Sequence, residues 1–234
     1  YVPKKYFDKY PLDEIILPDT KIDDRNDLPE FGKKIANERY SASWGIDLNE
    51  GIRDHDLVLE YDQWEKGVQA YLASISFVDN YVGELLDELE NSEYSENTIV
   101  LLWGDHGWHL GEKQHWRKQA LWEDTTHVPL IVSYPSKIEK NKICEAPVSF
   151  IDIYPTLIDL AGISKKNNLD GESLLDLLQD TSMDWDRPVL STYGRGNHAV
   201  RSENWRYIQY RDGSNELYNH ENDPNEWHNL SGYI

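Results

Sequence analysis

Thr98-Ile99-Val100-Leu101-Leu102-Trp103-Gly104-Asp105-His106-Gly107 is the stretch on which the fold turns. An uncharged, apolar run that stops at Gly104 has the pattern of a short strand buried on both faces. Upstream, Leu72, Ile75, Val78, Val82, Leu85, Leu86 and Leu89 recur every three or four residues between Trp64 and Leu89, which puts them on one face of a long amphipathic helix. A helix feeding such a strand implies a βαβ-type layer. Downstream, a second apolar run from Val128 to Val132 stops at Pro135. Asp152 and Pro155 then open a helix through Leu157, Ile158 and Leu160 that Gly162 is placed to end.

The two ends of the chain read differently. Pro3, Pro11, Pro18 and Pro29 leave no room for a long helix, so residues 1–50 are expected to form an ordered surface connection. From about Asp186 the pattern changes to short strand-like pieces, Pro188–Tyr193, Ala199–Arg201, Trp205–Tyr210 and Glu216–Tyr218, with an Asp212-Gly213 turn before the last. The expected fold class is α/β. Residues 1–185 would form a mixed sheet with flanking helices, and residues 186–234 a small antiparallel subdomain.

Composition narrows the function classes. The 234 residues are 39% hydrophobic and 12% aromatic, which describes a folded chain, and they carry a formal net charge of −20. Such a field repels nucleic acid and anionic membranes, so an anionic substrate would need a local basic pocket. No apolar run approaches the roughly 18 residues needed to span a bilayer. Cys144, the only cysteine, forms no intrachain disulfide and leaves the redox compartment open.

The chemistry concentrates between Trp103 and Lys118. Asp105 and His106 follow the apolar run directly, where open α/β sheets bind ligands, and Gly104 and Gly107 let the backbone turn around them. A carboxylate beside an imidazole can hold a metal, and cations a turn or two later can grip an oxyanion. Together these point to hydrolysis of a phosphate or sulfate ester. The competing reading is structural: Asp105 caps a turn and His106 is a satisfied, partly buried histidine.

The segment from Gly104 to Lys118, followed by Thr126-His127-Val128-Pro129-Leu130-Ile131, closely resembles the iduronate-2-sulfatase-like members of the type I sulfatases, in the alkaline-phosphatase-like superfamily. Tyr71 to Asp79, Asp152 to Leu157, and Glu216-Leu217-Tyr218 through Asp223-Pro224-Asn225-Glu226 extend the resemblance over most of the chain. It implies the second part of an alkaline-phosphatase-like mixed sheet. It also implies that Asp105 and His106 complete a calcium site, although ligand type alone would suggest zinc. Lys118 would bind the sulfate and stabilise charge on the leaving oxygen. Lys113 and His115 are candidates for substrate contact, Trp108 for the wall of a sugar subsite, and Arg195 and His198 for a recognition loop over an anionic sugar. His127 is expected to be a hydrogen-bonded structural residue.

The family's nucleophile is a formylglycine made from Cys or Ser in a Cys/Ser-x-Pro-x-Arg segment. Cys144-Glu145-Ala146-Pro147 places Pro one position late, and Ser133-Tyr134-Pro135-Ser136-Lys137 ends in Lys. The resemblance therefore implies a nucleophile, an acidic pair for the calcium and further basic residues on an N-terminal portion of the same sulfatase. Tyr1-Val2-Pro3 reads as the continuation of that portion, and an exported enzyme, periplasmic or extracellular, is the family habit. Two other functions remain open: a phosphoesterase or phosphonate hydrolase of the same superfamily, and a non-catalytic remnant that binds sulfated glycans.

Overall fold

The computed structural model describes residues 1–38, 53–164 and 166–233. In chain order the helices are α1 (Lys4–Phe7), α2 (Glu30–Ala36), α3 (Asp54–Glu60), α4 (Trp64–Glu90), α5 (Glu123–Thr126), α6 (Ile153–Ala161) and α7 (Leu175–Gln179). The strands are β1 (Val100–Trp103), β2 (His109–Leu110), β3 (Trp116–Arg117), β4 (Leu130–Ser133), β5 (Val189–Thr192), β6 (His198–Arg201), β7 (Trp205–Gln209) and β8 (Asn215–Asn219). The α/β class and the C-terminal antiparallel sheet are as the sequence implies.

β1 pairs with β4 in antiparallel register, Val100 opposite Ser133 and Trp103 opposite Leu130. The βαβ-type layer expected around β1 is thus not what joins these two strands. The intervening residues are spent on the β2–β3 hairpin and on α5, not on a crossover helix, so the chain returns along β1 in the opposite direction. Nor is β1 buried on both faces among the described residues, since Trp103 is half exposed.

The long helix forms where expected, but much of its apolar stripe is uncovered: Val78 is 58% exposed and Leu85 71%. What α4 does bury are Val68 and Ala73, and α1 packs on it through an edge-on contact of Tyr6 with Phe77, ring centres 5.3 Å apart. α6 ends as read. Gly162 takes the left-handed conformation, φ +68°, and the following amide of Ile163 donates to the Ile158 carbonyl at 3.0 Å. Asp152, fully buried ahead of α6, ties three segments together. It accepts from the amides of Ser149 and Glu172, both at 3.0 Å, and from Arg187 Nη1 at 2.6 Å.

The main core corrects the reading of residues 28–36 as part of a surface connection; the end of that connection, 39–50, lies outside the described residues. Leu28, Ile35 and Ala36 are buried with Ala120, Leu121 and Trp122 against Ala199, Ile208, Tyr210 and Tyr218 of the C-terminal sheet, which has the order β5-β6-β7-β8. Phe31 and Ile35 lie one turn apart on α2, so even this seven-residue helix presents an apolar face, and Phe31 stacks on Tyr210 at 5.1 Å. At the centre the buried Glu216 carboxylate accepts from Trp122 Nε1 at 2.8 Å and from the hydroxyls of Tyr210 and Tyr218, each at 2.7 Å.

A Cβ at Gly162 would meet nothing within 4 Å, so Gly162→Ala should carry only the left-handed backbone cost. Destabilisation by about 1 kcal/mol is expected from the shift of the urea midpoint; an unchanged midpoint would contradict the cap assignment.

Candidate active site

The loop after β1 is held by the segment that precedes β4. Gly104 N–H donates to the Pro129 carbonyl at 3.1 Å, Gly107 N–H to Thr125 at 2.8 Å and Trp108 N–H to Asp124 at 2.7 Å. At Gly107 a Cβ would lie 1.9 Å from the Asp124 carbonyl oxygen, so only glycine permits this approach. Asp105 and His106 are the two residues left projecting between these clamps.

His106 Nδ1 is 2.8 Å from the Gly107 carbonyl oxygen. A carbonyl only accepts, so Nδ1 carries the proton and Nε2 presents its lone pair. That Nε2 lies 2.9 Å from Lys118 Nζ and 3.5 Å from Asp105 Oδ2. Lys118 arrives from the β2–β3 hairpin, whose register sets Arg117 opposite His109. Arg117 has φ +78°, unfavourable for a residue with a Cβ. Its guanidinium is anchored by Nη2 to Asp54 Oδ2 at 2.7 Å and to the Glu38 carbonyl at 3.2 Å. This anchor turns the next residue, Lys118, toward His106.

Asp105 and His106 fit a metal as part of a ligand set. The carboxylate is exposed, the imidazole lone pair faces Lys118 Nζ and would turn to a cation as that amine moves to an anion, and the 3.5 Å separation of carboxylate and imidazole suits neighbouring positions around one cation. Two donors fall well short of the six to eight that calcium takes. A second group, Glu123, His220 and Glu226, also has ligand atoms within 4.8 Å of one another. There, however, Arg206 already pairs with Glu123, lies 2.6 Å from Glu226 through Nε, and is joined by Arg201 at 3.2 Å from Glu123. Burial pushes the Glu123 carboxyl up, but Arg206 and Arg201 more than offset it and hold it at about 2. Two guanidinia neutralise that cluster and leave no electrostatic demand for an ion.

Trp108 stacks on Tyr71 of α4 at 6.3 Å and stands 6.0 Å from the His106 ring, so it both packs and walls the loop. Lys113 is not where substrate contact would need it. It is buried at 3% exposure, donates to Asp24 Oδ1 at 2.9 Å and to the Glu226 carbonyl, and lies over the rings of Trp122 and Tyr218. His115 is likewise buried, edge-on to Trp122 and to His109, with Nδ1 3.4 Å from the Ala36 carbonyl. Both expectations of substrate contact fail for the same reason: the hairpin turn folds inward onto the core. Arg195 is exposed on the β5–β6 turn, and His198, exposed at the start of β6, has its Nδ1 2.9 Å from Thr192 Oγ1. Their loop is tied toward the site through Tyr193, whose hydroxyl donates to Glu38 Oε2 at 2.8 Å. His127, expected to be structural, is exposed and 3.5 Å from Glu123.

Sequence reasoning missed Asp54 and Glu38, which reach Arg117 from 63 and 79 residues away with no local pattern to announce them. It also missed Asp124, whose carbonyl clamps Trp108 and whose half-exposed carboxyl is raised by partial desolvation and by the neighbouring Glu112 and Glu226.

An α/β frame that gathers a carboxylate, an imidazole lone pair and an ammonium at one strand end has the donor types that can hold a cation and an oxyanion side by side. Comparison with known proteins makes this specific. Residues 3–163 match the Sulfatase family and residues 111–233 the family described as N-sulphoglucosamine sulphohydrolase, C-terminal. The chain belongs to the sulfatase family, within the alkaline-phosphatase-like superfamily. It is similar to a sulfatase of Formosa agariphila, 43% identical over 98% of this chain and 43% of that protein. Arylsulfatase K of Gallus gallus is 35% identical over 69% of this chain and 33% of its own length. The chain therefore spans less than half the length of these relatives. Among solved structures, BT4656 in complex with its substrate D-glucosamine-2-N,6-O-disulfate superposes with TM-score 0.64 at 25% identity, over 82% of this chain and 40% of that one. A phosphonate monoester hydrolase from Silicibacter pomeroyi shares the fold with TM-score 0.79 at 22% identity, over 98% of this chain and 49% of that one.

Burial holds His109 well below the ordinary imidazole value of 6.5, and His115 down at about 4. Both are neutral when folded, whereas the unfolded chain takes up protons below about pH 6.5. The stability they contribute is therefore complete above pH 6.5 and is lost as pH falls toward 4. Denaturant midpoints measured across that window should fall with acid, and His115→Phe should flatten the slope; an unaltered slope would show that His115 is already protonated in the fold.

Proposed function

We propose that this chain serves sulfuric ester hydrolysis on a sulfated carbohydrate, supplying Asp105 and His106 to a calcium site and Lys118 to the sulfate. The observation that carries this reading is the convergence of these three side chains on His106 Nε2, with Lys118 Nζ at 2.9 Å and Asp105 Oδ2 at 3.5 Å. When bound, calcium would polarise the sulfate oxygens, and a formylglycine on the N-terminal portion of the same sulfatase would supply the attacking oxygen. The residues of this chain do the rest. Asp105 offers negative charge to the cation. The Nδ1–H bond to Gly107 fixes the His106 tautomer and directs Nε2 at the same place. Lys118 donates to a sulfate oxygen and neutralises charge as the ester bond to the sugar oxygen breaks.

The uncovered stripe of α4, with Trp103 and Ile131 exposed on the β1–β4 pair, supports the N-terminal portion as the partner that packs there. An apolar area of that kind is costly to leave in water. Arg195 and His198 are proposed to meet the saccharide, supported by the Tyr193 tether that directs their loop toward Arg117. Division of the chain near residue 185 is kept as an organisational proposal, although the core runs across it. No helix among the described residues is long and apolar enough to cross a membrane. A periplasmic or extracellular location follows from the family resemblance. The fold shared with a phosphonate monoester hydrolase does not choose between sulfate and phosphonate esters; the sulfatase family match favours sulfate.

In the full-length protein, Lys118→Ala should lower kcat on an aryl sulfate by about 10²–10³-fold with the thermal midpoint unchanged. Asp105→Ala should weaken calcium binding measured by titration calorimetry. Preference of the unaltered protein for phosphonate over sulfate esters would transfer the site to the other hydrolase class, and binding of sulfated sugar without turnover would make it a glycan-binding remnant.

A further inference from the structure

In a chain of net charge −20, a guanidinium without a carboxylate partner is an electrostatic exception. Arg25 is half-buried. Among the described residues its side chain meets only neutral amide oxygens, Nη1 donating to Gln114 Oε1 at 2.9 Å and Nη2 to Asn37 Oδ1 at 2.7 Å. Its Nε is shielded from solvent and has no partner. The same Gln114 oxygen also accepts from Arg53 Nη1 at 2.5 Å. Arg53 gives its remaining donors to Asp56, through Nε at 2.9 Å and through Nη2. Two guanidinia thus converge on one uncharged oxygen with one carboxylate between them, an excess of one positive charge. Burial and then the neighbouring Arg53 weaken proton binding at Arg25, and the opposing fields of Asp56 and Asp24, each already paired to another cation, do not offset them.

Charged groups below a protein surface are normally paired, and forked guanidinium donors meeting at one point match the geometry of an oxyanion. Gln114 stands there on a backbone of φ +53°, next to Lys113 at φ +51°, so the turn carries strain in order to place it. Two chain connections link the cluster to the site already described. Arg53 precedes Asp54, which anchors Arg117, and Gln114 is four residues before Lys118, at most about 14 Å along the chain.

We propose that Arg25 and Arg53 form an anion subsite, with Gln114 Oε1 marking where a ligand oxygen sits, for a second sulfate or a carboxylate on the saccharide whose sulfate ester lies at Lys118. This rests on the sulfatase reading and names its substrate class: a saccharide with at least two anionic groups. Gln114 swings aside when the anion binds, and Asn37, on the exposed side, frees Arg25 Nη2.

The test uses the full-length protein with four probes: 4-nitrophenyl sulfate, a monosulfated disaccharide without a second anion, and its two counterparts bearing a second sulfate or a uronate carboxylate. Arg25→Gln should raise KM for the dianionic sugars by about tenfold or more, with kcat and both monoanionic probes changed less than about twofold. Gln114→Glu, which sets a fixed carboxylate between the two arginines, should give the same selective loss while retaining or raising the thermal midpoint. A cluster with only a structural role would reduce all probes alike or none, and either result overturns the proposal. Which dianionic sugar loses more identifies the anion as sulfate or carboxylate. If the unaltered protein hydrolyses no probe, the sulfatase reading fails separately. Calorimetric binding of the dianionic sugars then decides the subsite: weaker in Arg25→Gln supports it, unchanged overturns it.

Discussion

The structure depends on how the residues from Ala120 to Thr125 are held. Ala120, Leu121 and Trp122 are buried against the C-terminal sheet, and the Leu121 carbonyl accepts from Arg206 at 3.0 Å. The Trp122 indole donates to Glu216, and the Glu123 amide donates to Glu226 at 3.0 Å. With that face fixed, the carbonyls of Asp124 and Thr125 on the following turn clamp the Trp108 and Gly107 amides of the loop that presents Asp105 and His106. The small sheet, remote in sequence from the site, therefore sets the backbone position of the proposed metal donors. This explains why residues without chemistry, such as Tyr210 and Tyr218, are buried around a carboxylate where an all-apolar core would suffice for stability. Their hydroxyls and the Trp122 indole satisfy Glu216 and fix one orientation of the segment.

Charge is sorted by the fold in a way the totals do not reveal. Several cations are consumed structurally: Lys113 by Asp24, Arg206 by Glu123 and Glu226, Arg187 by Asp152 and Arg117 by Asp54. Each is partly or fully removed from water, where an unpaired charge would be costly. Lys118, whose amine has the His106 lone pair as its partner, and Arg25, held by Gln114 and Asn37, stand apart from this pattern. A strongly acidic protein can accept an anion only at such local exceptions, since the field elsewhere opposes its approach.

Elements governed by local pattern were legible before any coordinates. The α4 periodicity, the apolar runs that became β1 and β4, the Gly162 cap and the four short C-terminal strands all follow from spacing, propensity and turn chemistry. The Asp105-His106 pair and Lys118 were legible as candidates, because a recurring motif carries them. The misreadings share one cause. Lys113 and His115 look like site residues because they are polar and lie within the motif, and residues 28–36 look like surface because they follow prolines and acids. Polarity in sequence says which groups need partners, not whether those partners are water, substrate or the core.

The sequence by itself determined the α/β class, the positions of most helices and strands and the sulfatase resemblance, since each is encoded within a window of neighbours. Only the tertiary structure decided that β1 and β4 run antiparallel, that α2 belongs to the core, that Lys113 and His115 face inward, and that Arg25 and Arg53 share an oxygen of Gln114. Those outcomes depend on contacts between residues tens of positions apart. Their energies are settled by burial and pairing once the chain has closed, and no local pattern records them.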